Sequence, residues 1–304
     1  MPRESFASTF DYEHEHGGAR LVEFLLQVIA IILLCAFAGC TRLGERVQFA
    51  ALPPGAPDAA SILAGLARTD NAIRNFKAKG SMSLSSPDFA GVKTCDDGLV
   101  AFRRPAGLCV IGKKLVIGVA VFRITCVGNE SLIEFPATPE EEPYYSIGGE
   151  QFGNFSVSPS DIAREMFLPE AWQDIKPKDF RVTAYDQAQQ QATVEIGPRR
   201  VPRRRAVVTG PPWRVGRSER LDKDGAGVAV TLMDDYREID GVQFPAKVDA
   251  SFPGQETRMT IDMRKIWTNT KLDDALFNVK ARAREAGVDF NRAPAEQRRG
   301  AHTR

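Results

Sequence analysis

The chain has 304 residues, of which 43% are hydrophobic and 26% charged, and its formal net charge is +1. These values are typical of a globular protein with one sizeable core or two small ones, and a near-neutral charge gives no support for nucleic-acid binding. The histidines are His14, His16 and His302, so none lies in the middle of the chain. Catalysis by Ser-His-Asp or Cys-His groups and metal sites built on histidine are therefore excluded from the folded part.

The first feature along the chain is an apolar run, residues 21–39, whose only charge is Glu23. The run is just long enough to span a bilayer as a helix. It ends in Phe37-Ala38-Gly39-Cys40, which resembles the lipobox of bacterial lipoprotein signal peptides. That resemblance implies a signal peptide at 1–39 and a diacylglycerol anchor on the Cys40 thiol.

The alternative for this run is an uncleaved signal-anchor helix in which Cys35 and Cys40 are ordinary apolar-segment cysteines. Both interpretations place the rest of the chain outside the cytoplasm, at a membrane surface. With the lipid anchor, the outer membrane facing the periplasm is favoured over the inner membrane.

A tether and a short helix follow the anchor. Residues 43–58 have the Pro, Gly and Ala content of a linker, so anchor and linker together occupy 40–58. The spacing of Ile62, Leu63, Leu66 and Ile73 predicts a helix over 59–73, with Asp58 as its N-cap.

From residue 75 onward, alternation of apolar and polar residues predicts about ten antiparallel strands. In "NFKAKGSMSL" the alternation puts Phe76, Ala78, Met82 and Leu84 on one face. The later strands are predicted to turn the following residues inward: Val228, Val230, Leu232 and Tyr236; Val242, Phe244, Ala246, Val248, Ala250 and Phe252; and Met259, Ile261, Met263 and Trp267.

Turn and helix signals separate these strands. Asp97-Gly98, Asp224-Gly225 and Asp240-Gly241 are typical of type I′ hairpin turns, which need positive φ. Ser158 followed by Pro159 predicts a second helix, with Ser158 as its cap and an apolar face of Ile162, Met166 and Phe167. The segment 280–304 is rich in Arg, Ala and Gly and is predicted to be a disordered basic tail.

Together these elements predict a mainly β (α+β) fold, in which a large curved antiparallel sheet or incomplete β-barrel wraps around short helices. Each strand has one apolar face to cover, so a single sheet of this size must close or curl around its helices.

Four segments carry a family resemblance: "ILAGLARTDNAIRNFKAKGSMSL", "DDGLVAFRRPAGLCVIG", "DDYREIDGVQFPAKVDASF" and "MTIDMRKIWTNTKLDDALFNV". Their order resembles the LolA/LolB-like superfamily of periplasmic lipoprotein and lipid carriers, over residues 59–279. The resemblance implies a half-barrel with a helical lid and a hydrophobic cavity for acyl chains, without catalytic residues or cofactors. The receptor branch of that family is itself lipid-anchored.

Two groups of site residues follow. The acyl cavity is predicted to be lined by Phe76, Met82, Leu84, Phe244, Phe252, Met259, Ile261 and Met263. The same side chains would suit a filled core, and methionine adapts to either. Contacts to anionic head groups or to an envelope partner are predicted for Arg199, Arg200, Arg203, Arg204 and Arg205, whose alternative role is to keep an exposed hairpin soluble.

Three functions compete at this stage. The first is a lipid-anchored carrier or receptor for the acyl chains of lipids or lipoproteins, acting without covalent chemistry. The second is an envelope scaffold with a filled core that docks a partner through the Arg-rich hairpin. The third, a carboxylate-dependent hydrolase, lacks a general-base cluster. Cys95, Cys109 and Cys126 are expected to be buried packing residues or to include one disulfide.

Overall fold

The computed structural model describes residues 52–289 except 106, 115–117, 139, 142, 148–149, 153–154 and 168–171. The chain divides into two units, 1–49 and 50–304, and all the described residues belong to the second. The predicted signal peptide and Cys40 therefore lie outside the described residues. Within the described part, no helix is long and apolar enough to cross a membrane.

The described residues form 14 strands and three α-helices. The strands are β1 (Asn75–Ser85), β2 (Val92–Arg103), β3 (Gly107–Lys113), β4 (Ala120–Val127), β5 (Glu130–Glu134), β6 (Tyr144–Ile147), β7 (Glu150–Phe152), β8 (Phe180–Asp186), β9 (Gln191–Ile196), β10 (Arg204–Thr209), β11 (Arg214–Leu221), β12 (Gly227–Ile239), β13 (Val242–Phe252) and β14 (Thr257–Thr268). The helices are α1 (Ala59–Ala72), α2 (Pro159–Phe167) and α3 (Val279–Glu285).

All 14 strands belong to one antiparallel sheet. Among the described strands, each pairs with the next one in the chain except β7 and β8, and β1 additionally pairs with β14 in the middle of the sheet. In the described residues the order runs from β7 at one edge to β8 at the other, so the sheet is open. The prediction of a mainly β fold built on a large antiparallel sheet is confirmed.

The contacts of α2 show that the sheet is curved. This helix contacts β5 and β12, which are seven positions apart in the strand order. At about 4.8 Å per strand, a flat sheet would separate them by about 34 Å. A helix is only about 10–12 Å wide with its side chains, so the sheet must wrap around α2.

The concave face of the sheet carries two hydrophobic clusters. The larger one joins β1–β5 and β12–β14 to Ile162, Ala163 and Met166 of α2. The second joins β8–β11 to α1 through Leu63 and Leu66. Because both clusters consist of residues from the unit 50–304, that unit contains the whole of the described fold.

The convex face is covered near β2–β6 by the C-terminal segment. Phe277 packs on Ala101 and Cys109, while Val279 and Ala283 of α3 pack on Leu132 and Tyr145. Disorder from residue 280 was therefore a wrong prediction for the described part of the tail, where a few apolar residues at helical spacing suffice to dock a helix. Residues 290–304 lie outside the described part.

The predicted strands are present, but in two of them the prediction of which residues face inward is wrong. In β12 the buried residues are Ala229 and Thr231, and Leu232 is 44% exposed. In β14 an extra residue opposite β1 shifts the register between Lys79 and Gly80. That bulge reverses the side-chain direction, so Trp267 is 42% exposed.

The hairpin signals behave differently from one another. Asp240 and Gly241 both have positive φ between β12 and β13, and Gly225 has positive φ between β11 and β12, as a turn requires. Asp97-Gly98 lies inside β2 and not in a turn. There the register with β1 shifts, and a Cβ on Gly98 would lie 2.1 Å from Met82 Cε. The glycine is needed for close packing at a bulge.

A buried ion pair fixes α2 to the sheet. Glu165 is 1% exposed and accepts two hydrogen bonds from the guanidinium of Arg204, at 2.9 and 3.2 Å. Arg220 Nε lies 3.0 Å from the same carboxylate. Thr231 donates a hydrogen bond to the Glu165 carbonyl oxygen at 3.1 Å. The polar residue at this inward position of β12 is thus explained by its contact with the helix.

The buried pair predicts a large stability effect. Glu165→Ala leaves the Arg204 cation buried without its carboxylate, which is expected to lower the free energy of unfolding by about 3–5 kcal/mol. Asp161→Ala is the matched control, because Asp161 is half-exposed and 3.9 Å from Arg220, and its loss is expected to be below about 1 kcal/mol. Urea denaturation of both variants measures this difference, and equal losses would contradict the assigned role of Glu165.

Candidate functional site

A cavity of about 120 Å³ lies where the two hydrophobic clusters meet. Its walls come from the C-terminal half of α1, the C-terminal end of α2 and the concave face of the sheet. Leu66, Trp172 and Trp213 belong to the second cluster, and Phe76 and Phe244 to the larger one. The cavity is therefore the space that the two helices leave unfilled on the concave face.

Four phenylalanine rings form the apolar side of this cavity. Phe76 is their centre, with its ring centroid 4.8 Å from that of Phe244, 5.3 Å from that of Phe102 and 5.4 Å from that of Phe167. Phe102 and Phe167 are in turn 6.4 Å apart. These separations are those of interacting aromatic pairs, and the rings join β1, β2 and β13 to α2. Their surface suits a hydrocarbon ligand.

An ion pair closes the cavity beside the end of α1. Arg104 pairs with the carboxylate of Asp70, and it also donates hydrogen bonds to the carbonyl oxygens of Ile73 at 3.0 Å and Asp70 at 3.2 Å. A cation at a helix C-terminus satisfies carbonyl groups that have no partner within the helix. Burial raises the pKa of Asp70 above its ordinary value of 3.8, although Arg104 acts to lower it.

A second arginine lies at the cavity without such a partner. Arg214 lines the cavity and is half-buried, with its guanidinium 5.4 Å from the centroid of the Tyr236 ring. Tyr236 donates a hydrogen bond to the carbonyl oxygen of Val215 at 2.7 Å. Desolvation raises the pKa of Tyr236, so its phenol stays protonated at neutral pH. Among the residues that the structure describes, no carboxylate lies within ion-pair distance of Arg214.

A surface cleft of about 580 Å³ adjoins the cavity. The two spaces share Thr69, Trp213 and Gln243 as lining residues. Trp213 packs against α1 at Gly65, where a Cβ would lie 2.7 Å from the indole Cδ1. Glycine thus allows α1 to lie directly on the indole, and the indole forms part of the wall between cleft and cavity.

The structure brings all eight predicted cavity residues into one buried cluster. They are Phe76, Met82, Leu84, Phe244, Phe252, Met259, Ile261 and Met263. Two of them, Phe76 and Phe244, line the cavity, and the other six are absent from its lining. The alternation of β1, β13 and β14 therefore identified the concave face, whereas the position of the unfilled space depends on where the helices pack.

The predicted arginine set divides into two groups. Arg199, Arg200, Arg203 and Arg205 are exposed at the β9–β10 connection and the start of β10. Arg204 is 2% exposed and points to Glu165, so it is not part of this surface. The prediction of head-group or partner contact fails for Arg204, because alternation along β10 turns it inward.

Sequence reasoning missed the polar residues of the cavity. Asp70, Arg104, Arg214 and Tyr236 come from four separate segments of the chain, and none belongs to the two predicted sets of site residues. Two signals were available: Arg104 lies in the Arg-Pro corner that carried part of the family resemblance, and Arg214 lies in the arginine-rich stretch 199–220. These segments meet because strands pair in the sheet, and the sequence of a single segment does not show which strands it pairs with.

The described residues contain three cysteines. Cys95, Cys109 and Cys126 are free and buried, and burial raises the pKa of both Cys95 and Cys109 to about 11. These thiols are therefore protonated at neutral pH, and the alternative of a disulfide among them is wrong. No group of three or more His, Cys, Asp or Glu in the described part is arranged to hold a metal ion.

The chain is similar to three solved structures. The first is a DUF1329 family protein from Desulfovibrio piger, with 14% identity over 73% of this chain and 98% of that chain and a TM-score of 0.49. The second is a putative outer membrane lipoprotein-sorting protein domain from Vibrio parahaemolyticus, with 12% identity over 74% of this chain and 99% of that chain and a TM-score of 0.48. The third is a LolA superfamily protein from Nitrosomonas europaea, with 15% identity over 74% of this chain and 100% of that chain and a TM-score of 0.46. No family model and no curated protein matches the chain.

The ionisation of Asp70 provides a test of the cavity's polarity. We expect carboxyl NMR titration to give Asp70 a pKa above 3.8, and Arg104→Gln to raise it further because the lowering influence of the guanidinium is lost. A group with a higher pKa in the folded than in the unfolded state loses its stabilising contribution as the pH rises from 3.8 to the folded pKa. A pKa at or below 3.8, or no response to Arg104→Gln, would contradict the burial described here.

Proposed function

We propose that this protein is a cell-envelope carrier or receptor that binds acyl chains of lipids or lipoproteins in the cavity between the sheet, α1 and α2. The observation that carries this proposal is the unfilled apolar space beside Phe76, Phe102 and Phe244. Each buried CH₂ group contributes about 0.8 kcal/mol, so transfer between apolar cavities needs no covalent step. The anchor on Cys40, and with it an outer-membrane location, is part of the same proposal.

Binding of a whole acyl chain requires the cavity to open. Its volume of about 120 Å³ is below the range of about 300–1,000 Å³ that is usual for ligand sites. The adjoining cleft has about 580 Å³ and shares the wall formed by Thr69, Trp213 and Gln243. Displacement of this wall joins the two spaces and gives room for a chain.

We propose α1 as the moving element. Helix α2 is held by the buried Glu165–Arg204 pair, whose separation would expose two desolvated charges. Helix α1 is held near its C-terminus by Arg104 and packs against Trp213 through Gly65. These contacts are closer to solvent, since the side chains of Arg104 and Asp70 are 21% and 15% exposed, compared with 3% and 1% for Arg204 and Glu165.

The experiment is native mass spectrometry of residues 50–304, followed by organic extraction. We expect acyl species to co-purify with this unit, and Val215→Phe to reduce the bound fraction at least about tenfold because the ring fills the cavity that Val215 lines. Val207→Phe is the matched control, as Val207 is half-buried on the adjacent strand and does not line the cavity. A ligand-free mass for the unchanged unit, or equal losses in both variants, would contradict acyl binding at this site.

A second candidate function is a scaffold that docks an acidic envelope partner. It is favoured by the exposed Arg199, Arg200, Arg203 and Arg205, and by the six predicted cavity residues that pack in a filled core. Under this alternative the Arg203→Gln, Arg205→Gln double variant loses partner recovery in cross-linking of whole cells, and no lipid is extracted. Under the carrier proposal the double variant keeps its extracted acyl species. Extracted lipid together with unchanged partner recovery would count against the scaffold.

A further inference from the structure

The charges around the cavity are not balanced. Three charged side chains line it, namely Asp70, Arg104 and Arg214. Asp70 and Arg104 neutralise each other as an ion pair. Arg214, which is half-buried, therefore brings one positive charge without an ion-pair partner among the described residues into a mostly apolar wall, whose uncharged polar members include Thr69 and Gln243. Partial burial of a charge without a counterion is unfavourable.

The surroundings of Arg214 keep its guanidinium available to a ligand. The guanidinium lies over the face of the Tyr236 ring, 5.4 Å from the centroid. A cation–π contact partly stabilises the guanidinium but does not use its N–H donors, which remain able to form hydrogen bonds. The Tyr236 ring is held in this position, because its hydroxyl donates a hydrogen bond to the Val215 carbonyl oxygen at 2.7 Å. The Arg214 guanidinium is thus held at the cavity with N–H donors available to a ligand.

We propose that the ligand of this cavity is an amphiphile with a single negative charge, whose anionic head binds the Arg214 guanidinium while its acyl chain lies against the phenylalanine rings. This inference rests on the proposed function and specifies its ligand class. A planar guanidinium binds the two oxygens of a carboxylate or phosphate in parallel, so a fatty-acid carboxylate and a phospholipid phosphodiester share the required chemistry. An uncharged ester lacks it.

Intrinsic fluorescence can report binding at this site. Of the three tryptophans, Trp172 and Trp213 line the cavity and Trp267 is exposed on the convex face. The experiment therefore uses residues 50–304 with Trp267→Phe, titrated below micelle-forming concentrations with three probes of equal chain length. These are dodecanoate, lauroyl lysophosphatidylglycerol and the uncharged monolauroylglycerol.

We expect at least one anionic probe to bind about ten to a hundred times more tightly than monolauroylglycerol. Arg214→Gln should remove that advantage and leave monolauroylglycerol within about twofold, while Arg214→Lys should retain part of it. Arg217→Gln is the matched control, since Arg217 is exposed on the same strand and does not line the cavity. The anion that binds more tightly identifies the source of the head group.

The two proposals fail in different ways. Equal binding of all three probes, or an equal loss of all three in Arg214→Gln, would overturn the anionic-head inference and leave acyl binding intact. Absence of binding by every probe to the unit with an unchanged Arg214 would overturn the proposed function itself.

Discussion

The concave face of a large open sheet is the constraint on which the rest of this structure depends. Alternating strands present their apolar side chains to one side, and that side must be covered. Helix α2 covers the middle, α1 covers the β8–β11 end, and the sheet curves until both are enclosed. The cavity lies at the junction of the two coverings, where neither helix fills the space.

The two helices are held to the sheet by different interactions. The contact of α2 with the sheet includes the buried charges of Glu165 and Arg204, which are unfavourable to separate. The contact of α1 depends on packing of Gly65 against Trp213 and on an ion pair nearer to solvent. Under the proposed carrier function, this difference lets a ligand enter past α1 while α2 and the sheet stay in place.

The sequence predicted the sheet but not the position of the cavity. Alternation in β1 and β13 correctly identified the buried face, because side-chain period is a local property. It failed where bulges change the phase, as at Trp267, and where a polar residue faces inward to meet a helix, as at Thr231. About ten strands were predicted, and the described residues form 14. In β11 the inward Ser218 accepts a hydrogen bond from Arg204 and so hides the apolar pattern.

The site depends on contacts between distant segments, and this is why its polar members were missed. Arg104 and Asp70 are 34 residues apart in the chain, and Arg214 meets Tyr236 across β11 and β12. Each segment by itself shows an ordinary charged or aromatic residue. Only the pairing of the strands shows that one cation is compensated and the other is not.

A crystal structure of residues 50–304 with bound dodecanoate tests the central claim most directly. The account predicts ligand density between α1, α2 and the sheet, with the carboxylate at Arg214, α1 displaced, and the sheet and α2 in their present positions. Density on the convex face or at the Arg-rich β9–β10 connection, with α1 unmoved over an unchanged cavity, would contradict it.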